Sequence, residues 1–205
     1  MDTEPRTHKQ QCTDENGKLH RLDGPALIIK CHGGCYDGEL REEWYIHGQL
    51  HRDNGPAVTK SFNGYWCKAW YIHGKRHRLD GPAIETSLGN EKSASWYVNG
   101  NLHRIDGPAD ISDCGTRKTW YLNGVCHRAD GPAMELPNGS KYWFFNGRYH
   151  RLDGPAVEYY SGRKEWWVNS RRMKEAEFNE FVRPRLPEEG KIIEIDGNKY
   201  KLVKV

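Results

Sequence analysis

Apolar residues in this chain come in short runs, broken at regular intervals by pairs that tolerate left-handed backbone. Trp44-Tyr45-Ile46 runs into His47-Gly48, Trp70-Tyr71-Ile72 into His73-Gly74, and Trp96-Tyr97-Val98 into Asn99-Gly100. Trp120-Tyr121-Leu122 likewise meets Asn123-Gly124, and Trp143-Phe144-Phe145 meets Asn146-Gly147. An aromatic or β-branched run ending in Asn-Gly predicts a two-residue hairpin, because a type I′ turn needs positive φ at both central positions. Histidine is among the residues enriched at positive φ, so His47 and His73 are read as corner residues rather than ligands. Counting back from the turn pairs Ile72 with Lys75, Tyr71 with Arg76 and Trp70 with His77. Strand alternation then places Trp70, Ile72 and His77 on one face and Tyr71, Arg76 and Arg78 on the other.

Each later run is followed by a second, polar word. His-Arg-x-Asp-Gly-Pro-Ala begins at His20, His77, His103, His127 and His150, and an altered copy, "HRDNGPA", begins at His51. The intervals are 31, 26, 26, 24 and 23 residues. Asp-Gly-Pro predicts another corner, since Asp hydrogen-bonds to nearby backbone and Pro fixes φ. A short strand follows, as in "PAVTKS", "PAIETS" and "PAVEYY", and turns at words such as "SFNGYW" and "LPNGSKY". Units of this size cannot bury a face alone, so neighbours must complete the core.

The predicted fold is therefore all-β: an elongated antiparallel β-meander or open solenoid of six stacked hairpin repeats over residues 16–170. Residues 1–15 form an N-terminal segment, with Asn16-Gly17 as the first corner. The first unit lacks a Trp-Tyr box and the last, "WWVNSRRM", lacks the His-Arg sequel, so both read as caps. Residues 171–205 form a tail. In it, Phe178, Phe181 and Val182 with Pro184 as a stop predict a short helix. Alternation about Asp196-Gly197 predicts a last hairpin whose edge offers a partner-binding strand.

Composition narrows the picture. Of the 205 residues, 36% are hydrophobic and 29% charged, with 8 Trp and 11 Tyr, which suits a thin layered core. No stretch approaches the roughly 20 apolar residues that span a bilayer, and the start "MDTEPRTHKQQ" does not read as a signal peptide. A soluble cytoplasmic protein without membrane contact is the expectation. Net charge is +3, and residues 171–205 hold 9 basic and 7 acidic side chains, leaving the rest almost neutral at 22 and 21. That balance argues against sequence-independent binding along a nucleic-acid backbone. The 6 Cys follow no repeat phase, so free thiols in a reducing compartment are expected.

His, Arg and Asp recurring beside turn residues argue for architecture, because a catalytic constellation is needed once. Arg21/Asp23, Arg78/Asp80, Arg104/Asp106, Arg128/Asp130 and Arg151/Asp153 are read as ion pairs that fix corners and link units. If a ligand is held, the candidate binding residues are the ladders Trp44, His51, Trp70, His77, Arg78, Trp96, His103, Arg104, Trp120, His127, Arg128, Trp143, His150 and Arg151. Such ladders suit a small phosphorylated ligand, a nucleotide or, less well, nucleic acid. The altered word, at His51, Arg52, Asp53 and Asn54, is the one place where a hydrolase centre would be sought. Cys31, His32 and Cys35 in "KCHGGC", with Cys12 or His8, are weak zinc candidates, since a second paired ligand cluster is missing. No cofactor is expected.

The runs and their Asn-Gly corners resemble MORN-type repeats of the short "YxNGxxxG" variety, over roughly residues 16–170. Arrays bearing the His-Arg-x-Asp-Gly-Pro-Ala word resemble proteins of large bacteriophages and giant viruses, and "EGKIIEIDGNKYKLV" resembles hairpin tails of phage accessory proteins. The resemblance implies a non-enzymatic interaction protein that engages a host protein, with inhibition of a host defence system as one outcome. Lipid binding is not carried over, because the charged word departs from the better-known members. Open sheet ends make a dimer through a terminal hairpin an option.

Overall fold

The computed structural model describes residues 6–32, 38–112, 114–183, 192–195 and 198–201. Fourteen antiparallel strands follow one another in chain order across a single long sheet, from Arg6–Gln11 to Arg171–Met173. The meander is the one the repeat predicts. Between successive sheet hairpins the chain leaves the sheet to make a small corner hairpin, such as Tyr71–Ile72 with Lys75–Arg76. Four more have the same form, at Tyr45–Leu50, Tyr97–Leu102, Tyr121–Cys126 and Phe144–Tyr149.

The corners have the turn chemistry that the pattern requires. His47, His73, Asn99, Asn123 and Asn146 have φ of 45° to 51°, and each is followed by a glycine with positive φ. A β-branched residue could not take that place without strain. The pairs Tyr71–Arg76 and Ile72–Lys75 are those counted from the turn.

Neighbouring corner hairpins are stitched into a column beside the sheet. The corner glycine N–H donates to the residue before the preceding His, as in Gly74 to Leu50 O at 2.8 Å and Gly100 to Arg76 O at 2.8 Å. The word's Arg N–H donates forward to the next aromatic box, as in Arg78 to Tyr97 O at 3.1 Å. Each unit is thus bonded to the next through main chain in both the sheet and the column, which gives a quasi-one-dimensional stack.

The core between them is narrow. The Ala that ends each word (Ala26, Ala57, Ala83, Ala109, Ala133 and Ala156) is 0–1% exposed. Its carbonyl accepts the N–H of the Trp that opens the module, as in Trp70 to Ala83 at 2.8 Å and Trp96 to Ala109 at 2.7 Å. From Trp44, Trp70, Trp96, Trp120 and Trp143 to the Ala so engaged the interval is always 13 residues. From Trp44 onward all variation in repeat length falls in the sheet half, which is 17 residues between Ala26 and Trp44, 12 between Ala57 and Trp70 and 9 between Ala156 and Trp166. The strands shorten with it, from five residues at Val58–Phe62 to two at Val157–Glu158.

The N-terminal end differs from expectation, and the C-terminal end follows it. The sheet begins at Arg6 rather than at residue 16: Arg6–Gln11 pairs with Leu27–His32 as an edge strand, all six of its residues exposed. The first corner is a three-residue loop, with Asp14 N–H on Lys18 O and the Asp14 carboxylate accepting from Asn16 and Lys18 N–H at 3.0 Å each. At the other end a helix, Glu175–Val182, buries Phe178 and Val182 against Val168 and Met173. Ile192–Ile195 pairs with Asn198–Lys201, and the turn between them lies outside the described residues.

Candidate functional site

The repeated word is a device for holding one guanidinium. Arg78 lies over Trp70 with its Cζ 4.0 Å from the ring centroid, donates from Nε to Asp80 at 3.0 Å, and from Nη1 to Pro82 O at 3.1 Å and Glu85 at 2.9 Å. Its other face rests on Gly81, where a Cβ would come within 2.9 Å of Cζ. A side chain here would push the guanidinium off its place, so glycine leaves room for the stack. Arg104, Arg128 and Arg151 repeat the arrangement over Trp96, Trp120 and Trp143, each at 4.1 Å, with Nε to Asp106, Asp130 and Asp153 at 2.9 Å. A guanidinium stacked on an indole and hydrogen-bonded in plane uses the features in which Arg differs from Lys.

This corrects the face assignment made from alternation. Arg78 shares a face with Trp70, not the opposite one, because the ladder ends at His77: the Arg78 N–H turns to the next unit's Tyr97 and the period-two rule no longer applies. The ion pairs also close each corner on itself rather than linking units. That linkage is made by the imidazoles. Nδ1 of His20, His51, His77, His103, His127 and His150 accepts the N–H of the next corner's first residue at 3.1–3.2 Å. The predicted Trp, His and Arg ladders therefore exist, with the Arg and His polar groups engaged inside the fold.

Of what the array turns outward, the sequence singled out the groove-lining Trp, His and Arg residues but not the ridge between them. Consecutive words enclose a row of grooves, each with one Trp in its wall. One of about 690 Å³ lies between the words at Arg104–Pro108 and His127–Asp130 over Trp120 and Leu122. Another of about 630 Å³ repeats it one unit on over Trp143 and Phe145. A third, of about 300 Å³, lies between Arg21–Gly24 and His51–Asn54 over Trp44 and Ile46. Between grooves stands a ridge formed by the variable position of the word. Leu22, Leu79 and Ile105 are 79–86% exposed there, beside carboxylates at Asp23, Asp80, Asp106 and Asp130 that are 81–84% exposed. The equivalent Leu152 is instead covered by the terminal cluster of Val168, Met173, Phe178 and Val182. The signal was available: an apolar residue at the tip of a polar turn has no local reason to be there.

The array is neutral in sum but sorted by depth. Guanidinium groups lie between indole and backbone, whereas the carboxylates point to water. The Arg Nε–H bond holds Asp23, Asp80, Asp106 and Asp130 below the ordinary carboxylate pKa, with the nearby charge acting in the same direction. The unfolded chain therefore takes up these protons first as pH falls, so stability present above about pH 4 drains away below it. The melting temperature should drop as pH falls below 4, and Asp106→Asn with Asp130→Asn should flatten that drop. A melting temperature that rises on acidification would contradict this.

At the altered word Arg52 remains over Trp44 at 4.1 Å, while Asp53 turns to His51 Nε2 at 3.1 Å. His51 is buried and its Nδ1 accepts from His73 N–H, so both ring nitrogens are occupied and neither faces a nucleophile. Cys12 and Cys31 cannot share a metal: Cys12 lies opposite Ala26, five residues (~17 Å) along the strand from Cys31. Cys31 Sγ contacts Thr7 Oγ1 at 3.8 Å, His32 lies edge-on to His8 at 5.8 Å, and Cys35 is outside the described residues. Among the described residues no helix is long and apolar enough to cross a membrane. In comparisons with known proteins, no family model and no curated protein matches this chain.

Proposed function

We propose that this chain is a non-enzymatic interaction protein that seats a host protein along the ridge and grooves of its repeat array. The observation that carries the reading is the row of exposed Leu22, Leu79 and Ile105 in register with exposed Asp side chains. Isolated apolar residues on a surface are ordinary, but this position is apolar in every word except the second, where Asp53 stands, and that recurrence builds one extended surface. The phage origin and a role against host defence rest on the resemblance of the repeated word and its MORN-like corners. A phosphorylated ligand or nucleic acid held by the ladders has less support, because Arg Nε and Nη1 and the His Nδ1 atoms already have partners within the fold.

Affinity capture from host lysate with the full chain, alongside a Leu22→Ser, Leu79→Ser, Ile105→Ser variant, tests the reading. All three side chains are exposed, so the variant should fold and melt as the parent does. The expected result is a protein retained by the parent and lost by the variant. No retention at micromolar concentration, or equal retention by both, removes the reading.

A further inference from the structure

We propose that Asp14, His20 and His47 form a binding site for one divalent transition-metal ion of the zinc class, which clamps the first unit of the array to the second. One potential ligand atom from each residue lies within 4.8 Å of the others. His47 Nδ1 is 2.9 Å from Asp14 Oδ2, and the His20 and His47 rings are 4.4 Å apart. Asp14 Oδ1 is pinned by the N–H groups of Asn16 and Lys18, which leaves Oδ2 aimed at the imidazoles. Outer hydrogen bonds of this kind orient a ligating carboxylate. Two imidazoles and one carboxylate suit zinc, cobalt or nickel rather than calcium or magnesium, which take oxygen shells.

The residues depart from the repeat at the position where a clamp is needed. Cys12 N–H bonds to Ala26 O and Cys12 O accepts from His20, so Cys12 occupies the place that Trp44, Trp70 and Trp96 take in later units. Arg21 has no indole over it and is 39% exposed, against 20–24% for Arg78, Arg104, Arg128 and Arg151. Asp14 stands in a column that afterwards reads Ile46, Ile72, Val98, Leu122 and Phe145, and its side chain is only 10% exposed. At the next corner His51 and His73 are also 4.4 Å apart, but Ile46 holds the place of Asp14, and no metal cluster forms there among the described residues. An ion held by Asp14, His20 and His47 spans 33 residues of chain and bridges two units, replacing packing that the missing indole would supply. Both imidazoles bind neutral through Nδ1 with the proton on Nε2: His47 gives up its hydrogen bond to Asp14, and His20 gives up the one it accepts from the His47 N–H.

Zinc chloride titrated into the tag-free full chain, followed by calorimetry and by thermal melts, tests the proposal. One equivalent should bind saturably, and the melting temperature should rise with zinc concentration, as it does for a ligand of the native state. His47→Asn installs the residue that the corners at Asn99 and Asn123 already use, so it should melt like the parent without zinc yet lose affinity at least about 10-fold. Asp14→Asn should lose as much. A Cys12→Ser, Cys31→Ser, Cys35→Ser variant should bind as the parent does. Absence of saturable binding, unchanged affinity in both His47→Asn and Asp14→Asn, or loss confined to the cysteine variant would overturn the site.

Discussion

Replacing Trp96 with alanine is expected to cost about 2–4 kcal/mol of unfolding free energy, somewhat below the range for a fully buried indole because the ring is half-buried. Its face carries Arg104 at 4.1 Å, and that stack contributes about 0.5–2 kcal/mol of the loss. Without the ring, the Arg104 guanidinium should become as open to water as Arg21, which lacks an indole. A central lesion in a one-dimensional stack also weakens the coupling between its two halves. Urea unfolding followed by circular dichroism should therefore shift to lower denaturant and broaden, the N-terminal units separating from the C-terminal ones. A loss under about 1 kcal/mol with an unchanged slope would mean that the main-chain ladders alone hold the stack.

Ala109→Leu should be the other severe change. The alanine is fully buried with its N–H and carbonyl both bonded, to Thr119 O at 2.9 Å and from Trp96 at 2.7 Å. Adding three carbons where sheet and column meet forces them apart, which costs about 1–3 kcal/mol when a well-packed core is overfilled. The same substitution at Ala83 or Ala133 should cost a similar amount, because their surroundings are copies. Thermal melts of the three variants check both the size and the equality of the effect; an Ala109→Leu chain that melts with the parent would show that the spine has room to spare.

Much of this architecture could be read before any coordinates. Asn-Gly and His-Gly pairs fixed the corners, and counting from them gave the pairing of Tyr71 with Arg76. Phe178, Phe181 and Val182 marked the helix that closes the array. What escaped did so for identifiable reasons. The Arg6–Gln11 strand has no apolar alternation to announce it, since it joins the sheet through main chain alone with every side chain exposed. Arg78 was placed on the wrong side of its hairpin because a rule for strands was carried past the residue where the strand stops. Asp14 was not singled out by sequence at all. Only alignment by hydrogen bonds, with Cys12 in the tryptophan place, reveals that it interrupts an apolar column.

The constant interval from each Trp to its Ala, set against a sheet half that varies, divides the labour within a unit. The invariant half fixes the pitch at which ridges and grooves repeat, so changes in the length of the outer hairpins leave the spacing of the recognition face untouched. Sequences can be lengthened or trimmed at sites such as Asn63-Gly64 or Gly89-Asn90 as freely as fringe on a ruler, while the graduations a partner would measure stay where they are.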